Sequence, residues 1–213
     1  MTALVRWFRS ALGIVVRHKR AYLVINLAYY GLVAAAMAFV ASHPEIQDAL
    51  IRSVMISFGE GPLAGVAEAY QSGHVLQAMA LTFLFNFFLG SVLVLLTPSM
   101  VVPFSGMFIG FVRATLWGLL LAPTTPELQA AMIPHTLTLL LEGQGYILAI
   151  LAAWILGRAF VSPASVQAES WRIGYVKGLR DATRVYLLVA AVLALAAVYE
   201  SLEVIYLVPL LLP

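Results

Sequence analysis

Two long stretches of this chain contain no charged residue, and they constrain its fold more than any other feature. They cover residues 21–42 and 75–112. A helix needs about 20 mostly apolar residues to cross the hydrocarbon core of a bilayer, which is about 30 Å thick. Of the 213 residues, 62% are hydrophobic and 10% are charged, whereas soluble domains average about 25% charged residues. We therefore predict an all-α, polytopic membrane bundle and exclude a soluble enzyme; the absence of cysteine also excludes a disulfide scaffold.

Proline and the remaining apolar stretches predict five transmembrane helices in a single membrane domain, residues 1–213. Residues 75–112 are too many for one helix. The Thr97-Pro98-Ser99 step, with Pro103 soon after, predicts a break and a tight hairpin because proline removes a backbone donor. Glu142-Gly143-Gln144-Gly145 is expected to interrupt the fourth span, where its glycines either loosen the helix or accommodate a neighbouring helix. The predicted spans are residues 21–42, 75–97, 100–122, 132–157 and 185–208.

The basic residues orient these spans. Five of the 12 lysines and arginines precede residue 21, and another five lie within residues 158–184. With five spans both groups fall on one side of the membrane, and the positive-inside rule places that side in the cytoplasm. We therefore predict an N-inside, C-outside topology with residues 43–74 outside.

Three segments outside the spans have an amphipathic pattern. Residues 1–20 interleave arginines with apolar residues, which is typical of a helix that lies in the interface and contacts anionic lipid headgroups. The predicted outer segment has apolar residues at four-residue steps, namely Ile46, Leu50, Val54 and Phe58, which predicts a second surface-lying helix. Residues 163–182 have a similar amphipathic pattern on the cytoplasmic side. The lipid bilayer is thus the first predicted partner, and no cofactor or nucleic acid is predicted.

Five polar residues are predicted to lie inside the bilayer and to form a polar cluster: Asn86, Arg113, His135, Glu142 and Glu200. Such residues are costly at that depth and usually face protein. Their estimated depths permit Arg113 to pair with Glu142 or Glu200. The cluster is either a proton or ion site or a structural pair that sets helix packing. His135 and Glu142 share a face if their helix is continuous, but no metal-binding or nucleophile motif accompanies them, so no enzyme activity is predicted.

Gly106 and Gly110 form a small-xxx-small step in the third predicted span. Such a step lets two helices approach closely. It fits packing within the chain and the seam of a homodimer equally well.

The order of these features resembles that of the stage II sporulation protein M family of prokaryotic membrane proteins. The matching elements are the basic first segment, Phe85-Asn86-Phe87, the segment 104–110, Pro134-His135, Gly157, Tyr199-Glu200 and Pro209. The resemblance implies a non-enzymatic scaffold in the prokaryotic cytoplasmic (inner) membrane that recruits other membrane or envelope proteins. The alternative is a transporter or permease subunit that uses Arg113, Glu142 and Glu200.

Overall fold

The structure, a computed structural model, describes residues 3–60 and 64–211, with side chains for residues 5–56 and 64–211. Within these ranges every regular element is a helix and no strand occurs, which confirms the all-α class. Four helical runs are long and apolar enough to cross a membrane, namely Lys19–Ala41, Val75–Val101, Pro126–Val161 and Trp171–Leu211. The fold is that of a multi-pass membrane bundle.

The chain forms ten α-helices, two π-helical segments and one short 3₁₀ turn in its described part. In chain order they are α1 (Ala3–Arg17), α2 (Lys19–Ala41), α3 (Pro44–Glu60), α4 (Ala64–Gln71), α5 (Val75–Leu84), π1 (Phe85–Leu96), α6 (Thr97–Val101), α7 (Ser105–Leu121), α8 (Pro126–Val161), the 3₁₀ turn (Pro163–Val166), α9 (Trp171–Leu202), π2 (Glu203–Leu207) and α10 (Val208–Leu211).

Helix α8 is the centre of the bundle. Residues 145–153 are buried without a gap, so this stretch is enclosed on every side. Helices α2, α7 and α9 and segment π1 surround it. The other spans expose large apolar side chains, as expected of helices that face lipid.

Contacts between distant residues define the two ends of the bundle. At one end, which we call the basic end, His18 lies against Trp154, Tyr175 donates a hydrogen bond of 3.2 Å to the carbonyl of Met100, and Phe104 packs on Gly157. At the opposite end, the Gln47 side chain donates a 2.8 Å hydrogen bond to the carbonyl of Ala122. Successive elements therefore run antiparallel between the two ends.

The break in the long apolar stretch differs from the predicted one. The helix continues through Pro98 to Val101, and the chain reverses over residues 102–104, where Phe104 adopts a left-handed conformation with φ 67°. The π-helical segment π1 ends directly before this proline step. Its wider turns accommodate the missing backbone N–H of Pro98 within the helix. The helix is therefore not interrupted at Thr97-Pro98-Ser99 as predicted, but the predicted hairpin is present a few residues later and contains Pro103.

Two further helix predictions are corrected. Helix α8 is continuous over 36 residues through Glu142-Gly143-Gln144-Gly145, because Gly143 and Gly145 provide room for Tyr30 and Leu193 rather than a break. Residues 171–182, the second part of the predicted surface-lying segment 163–182, are the start of α9 and continue into the last span.

The amphipathic segments at the ends of the bundle form helices. Helix α1 buries Ala11 and Ile14 against the bundle and exposes Trp7 and Leu12. Residues 43–74 fold as two helices, α3 and α4, and the side chain of Phe58 lies outside the described residues.

The small residues of α7 are buried inside the chain. Gly106 packs on the backbone of Leu95, Gly110 on Ile150, and Gly118 on the backbone of Val33. The four-residue spacing of these contacts brings α7 close to π1, α8 and α2. This packing occupies the small-xxx-small face within one chain.

We expect Gly106→Ala to destabilise the protein. A Cβ atom there would lie less than 3.0 Å from the Leu95 carbonyl oxygen, so the backbone would have to move, and overpacking of this kind costs about 1–3 kcal/mol. Gly31→Ala is the matched control, because a Cβ there meets no atom within 4 Å and alanine favours helix. Denaturant titration of both variants in detergent micelles measures the free energy of unfolding; equal stability of the two would contradict this packing.

Candidate functional site

Four of the five polar residues singled out above line one cavity of about 420 Å³. Asn86 comes from π1, Arg113 from α7, Glu142 from α8 and Glu200 from α9. Val66 of α4 also lines the cavity, so a helix of the segment 43–74 borders it. Four separate elements thus bring these polar residues to one place between the helices.

Asn86 connects Glu142 to Tyr146 across the cavity wall. Its side-chain NH₂ group donates a hydrogen bond to a carboxylate oxygen of Glu142, and its Oδ1 accepts one of 2.8 Å from the Tyr146 hydroxyl. Glu142 is buried. Asn86 is therefore held from both sides and fixes one oxygen of the Glu142 carboxyl group.

Arg113 is held by aromatic rings rather than by an acid. Its guanidinium carbon lies 4.0 Å from the ring centre of Tyr146 and 4.7 Å from that of Trp117. Neither Glu142 nor Glu200 forms an ion pair with it. The direct pair that the depths permit is therefore absent, because the two rings hold the cation through its attraction to their π faces, worth about 2 kcal/mol when desolvated.

Glu200 completes the site. Its carboxyl group lines the same cavity as Glu142 and Arg113. One of its oxygens, Oε2, and the Nε of Arg113 are buried and have no hydrogen-bond partner among the described protein groups. Because buried polar atoms of folded proteins are nearly always satisfied, these two point to a bound group or water in the cavity.

The structure places His135 outside this cluster. Its Nδ1 lies 2.9 Å from Oε1 of Glu203, and Thr138 donates a hydrogen bond to the other oxygen of that carboxylate. The Glu203 side chain is completely buried. This second set ties α8 to π2 at the end of the bundle that lies opposite the basic end.

Gln144 anchors a third polar set, on another face of α8. Its Oε1 accepts a 2.5 Å hydrogen bond from Tyr22, and its Nε2 donates to Asn26 at 2.8 Å and to Tyr30 at 3.1 Å. Tyr22, Asn26 and Tyr30 share the four-residue spacing of one face of α2. That spacing is visible in the sequence, but nothing in the sequence shows which helix this face contacts.

No family model, curated protein or solved structure matches this chain. The fold and the cavity therefore define its class: a multi-pass helical membrane protein with a polar cavity between its helices. Two carboxyl groups, one guanidinium and one amide form that site.

Proposed function

We propose that this protein is a five-span transport protein or permease subunit of the prokaryotic cytoplasmic membrane, oriented N-inside and C-outside. Its intramembrane site at Glu142 and Glu200 binds a proton or a small monovalent cation on the way across the bilayer. The observation that carries this proposal is the unpaired buried oxygen of Glu200 in a cavity shared with Glu142 and Arg113.

The position of α7 supports its assignment as a fifth span, in addition to the four longer helical runs. Helix α6 ends at the basic end, where Tyr175 bonds to Met100, and α8 begins at the opposite end, near the Gln47 contact with Ala122. The chain between these points is α7, an apolar helix of 17 residues and about 26 Å in length. Its length matches a bilayer core of about 30 Å closely enough to span it with a short extension.

Single cysteines test the topology, since the natural chain has none. Ser42→Cys and Gln129→Cys lie at the end opposite the basic residues, whereas Val102→Cys and Ser165→Cys lie at the basic end, and all four positions are exposed. We expect a membrane-impermeant maleimide to label the first two in intact cells and the last two only after permeabilisation. Labelling of Ser165→Cys but not Gln129→Cys in intact cells would contradict the orientation.

The charge of the cavity supports a cationic solute. Two carboxyl groups face a single guanidinium, so with both acids ionised the site carries one net negative charge. Arg113 is positioned by aromatic rings instead of an acid, which leaves carboxylate oxygens available. A proton or monovalent cation at the Glu142–Glu200 pair restores neutrality, and intramembrane acids of transport proteins are typical carriers of this kind.

Proteoliposomes with the purified full chain test transport directly. Under an imposed membrane potential, we expect a flux of H⁺, Na⁺ or K⁺ above that of protein-free vesicles, read with internal fluorescent indicators. Glu142→Gln and Glu200→Gln should each lower this flux to near the protein-free level, because an amide cannot carry the neutralising charge.

Glu203→Gln is the matched control. This carboxyl group is also buried, but it bonds to His135 and Thr138 and does not line the cavity. We expect it to keep the flux, and size-exclusion chromatography confirms that each variant is folded. Wild-type vesicles as tight as protein-free ones to all three cations would overturn the transport proposal.

The second candidate is the scaffold function that the family resemblance implies. The observation that favours it is the exposed apolar surface of α3, where Met55 is 64% and Ile56 is 66% exposed. On the proposed outer side this surface is available to other membrane or envelope proteins, or to a second copy of the chain.

Affinity capture from mild detergent tests the scaffold candidate. Stoichiometric envelope proteins should co-purify with the wild type, and Met55→Ser/Ile56→Ser should lose them because the contact surface becomes polar. Val101→Ser is a control with similarly exposed apolar surface (81%) at the basic end and should keep them. A wild-type preparation without partners would count against a scaffold and leave the transport proposal intact.

A further inference from the structure

A second cavity, of about 480 Å³, lies at the basic end of the bundle. The end of α1, the turn after α8 and the first half of α9 enclose it. Its charged lining consists of Arg17, Lys177, Arg180 and Arg184, with Asp181 as the single carboxylate. Four cations against one anion give this cavity a strong positive charge that is independent of the intramembrane site.

The arginines that line the cavity keep guanidinium N–H groups available to a bound anion. The Asp181 carboxylate lies 3.6 Å from a nitrogen of Arg17 and 3.5 Å from one of Arg184, longer than the usual charge-assisted hydrogen bond of about 2.8 Å. In the part of the chain that the structure describes, the guanidinium of Arg180 has no hydrogen bond or ion pair. This cavity therefore offers unused guanidinium donors to an anion.

The turn that closes the cavity is itself fixed. Lys177 donates hydrogen bonds to the carbonyls of Val166 at 3.2 Å and Gln167 at 2.8 Å. Gln167 has a left-handed backbone, with φ 52°, which reverses the chain at this point. One wall of this open cavity is thus a fixed turn, to which Lys177 is bonded, while the arginines that face it are exposed.

His18 also lines the cavity but adds little charge at neutral pH. Burial, together with the nearby cations Arg17 and Arg158, lowers its pKa below the ordinary value of 6.5. The positive charge of the cavity at pH 7 therefore comes from the arginines and the lysine.

An adjoining groove of about 340 Å³ continues from this cavity between α1 and α9. Arg180 and Arg184 border both spaces, and Trp7 and Leu187 add apolar walls to the groove. The uncharged part of α9 begins at Val185, directly after Arg184. The two arginines therefore lie at the boundary between a basic space and an apolar one, where a lipid headgroup meets its acyl chains.

We propose that these two spaces bind one anionic phospholipid of the leaflet that contacts the basic end. The phosphate lies among the arginines, whose planar donors match phosphate geometry, and an acyl chain lies along Trp7 and Leu187. Charge complementarity and the amphipathic shape together select this occupant. The site does not depend on the transport proposal or on which side of the membrane the basic end faces.

Lipid titration followed by native mass spectrometry tests the site on the full chain in non-ionic detergent. We expect phosphatidylglycerol to bind at least about tenfold more tightly than phosphatidylcholine, since each basic residue near an anionic lipid contributes about 1 kcal/mol and about 1.4 kcal/mol is a factor of ten. Arg180→Gln/Arg184→Gln should abolish this preference. The matched control, Arg6→Gln/Arg9→Gln, removes two exposed arginines of α1 outside both cavities and should keep it.

Two further variants separate a lipid site from a simple charge effect. Asp181→Asn removes the single carboxylate of the cavity and should tighten phosphatidylglycerol binding severalfold. Trp7→Ala should weaken it without changing any charge, because it shortens the apolar wall of the groove.

Three results would overturn the proposal. The first is equal binding of phosphatidylglycerol and phosphatidylcholine. The second is an equal loss in the two double-arginine variants. The third is displacement of phosphatidylglycerol by inorganic phosphate at millimolar concentration, which would assign the site to the free anion. If the Arg180/Arg184 double variant aggregates on size-exclusion chromatography, Arg180→Gln alone decides the question, since none of the described protein groups bonds to that guanidinium.

Discussion

The enclosure of residues 145–153 of α8 on every side is the constraint on which the rest of this structure depends. A bilayer provides little hydrophobic drive between helices, so close packing and the satisfaction of polar groups hold a membrane bundle together. Directly before this stretch α8 carries the buried Glu142 and the half-buried Gln144, and each has a partner from a different neighbour. Asn86 of π1 forms a hydrogen bond with Glu142, and three side chains of α2 form hydrogen bonds with Gln144. The polar residues of one helix therefore decide which helices stand around it.

The same arrangement distinguishes polar residues that hold helices together from the polar residues of the candidate functional site. The sets around Gln144 and Glu203 have direct protein partners, and they tie α8 to α2 and to π2. The set around Glu142 and Glu200 differs, because it borders a cavity and leaves buried donor and acceptor atoms unpaired. Protein groups offset the desolvation cost in the first two sets, whereas the third leaves Nε of Arg113 and Oε2 of Glu200 without a partner among the described protein groups. The transport proposal therefore concerns the carboxyl groups of Glu142 and Glu200 and not that of Glu203.

Much of the fold could be predicted from one-dimensional patterns. The uncharged stretches define α-helices of membrane-spanning length, and residues 132–157 of the fourth predicted span lie within the observed α8. Boundaries at proline and glycine were predicted less well. Pro98 continues a helix because the π1 backbone accommodates it, and Gly143 and Gly145 serve neighbouring side chains instead of a break. A glycine in a sequence looks the same whether it loosens its own helix or admits a side chain from another.

By itself, the sequence determined the helical class, the apolar stretches long enough to cross a bilayer and the identity of the rare polar residues within them, because burial of charge in lipid is costly whatever the tertiary arrangement. Only the tertiary structure decided their partners. Arg113 lies on Tyr146 and Trp117 rather than on an acid, and His135 bonds to Glu203 rather than joining Glu142. Depth along a helix axis is readable from residue number, whereas rotation about that axis and the choice of neighbour depend on packing among all the helices at once.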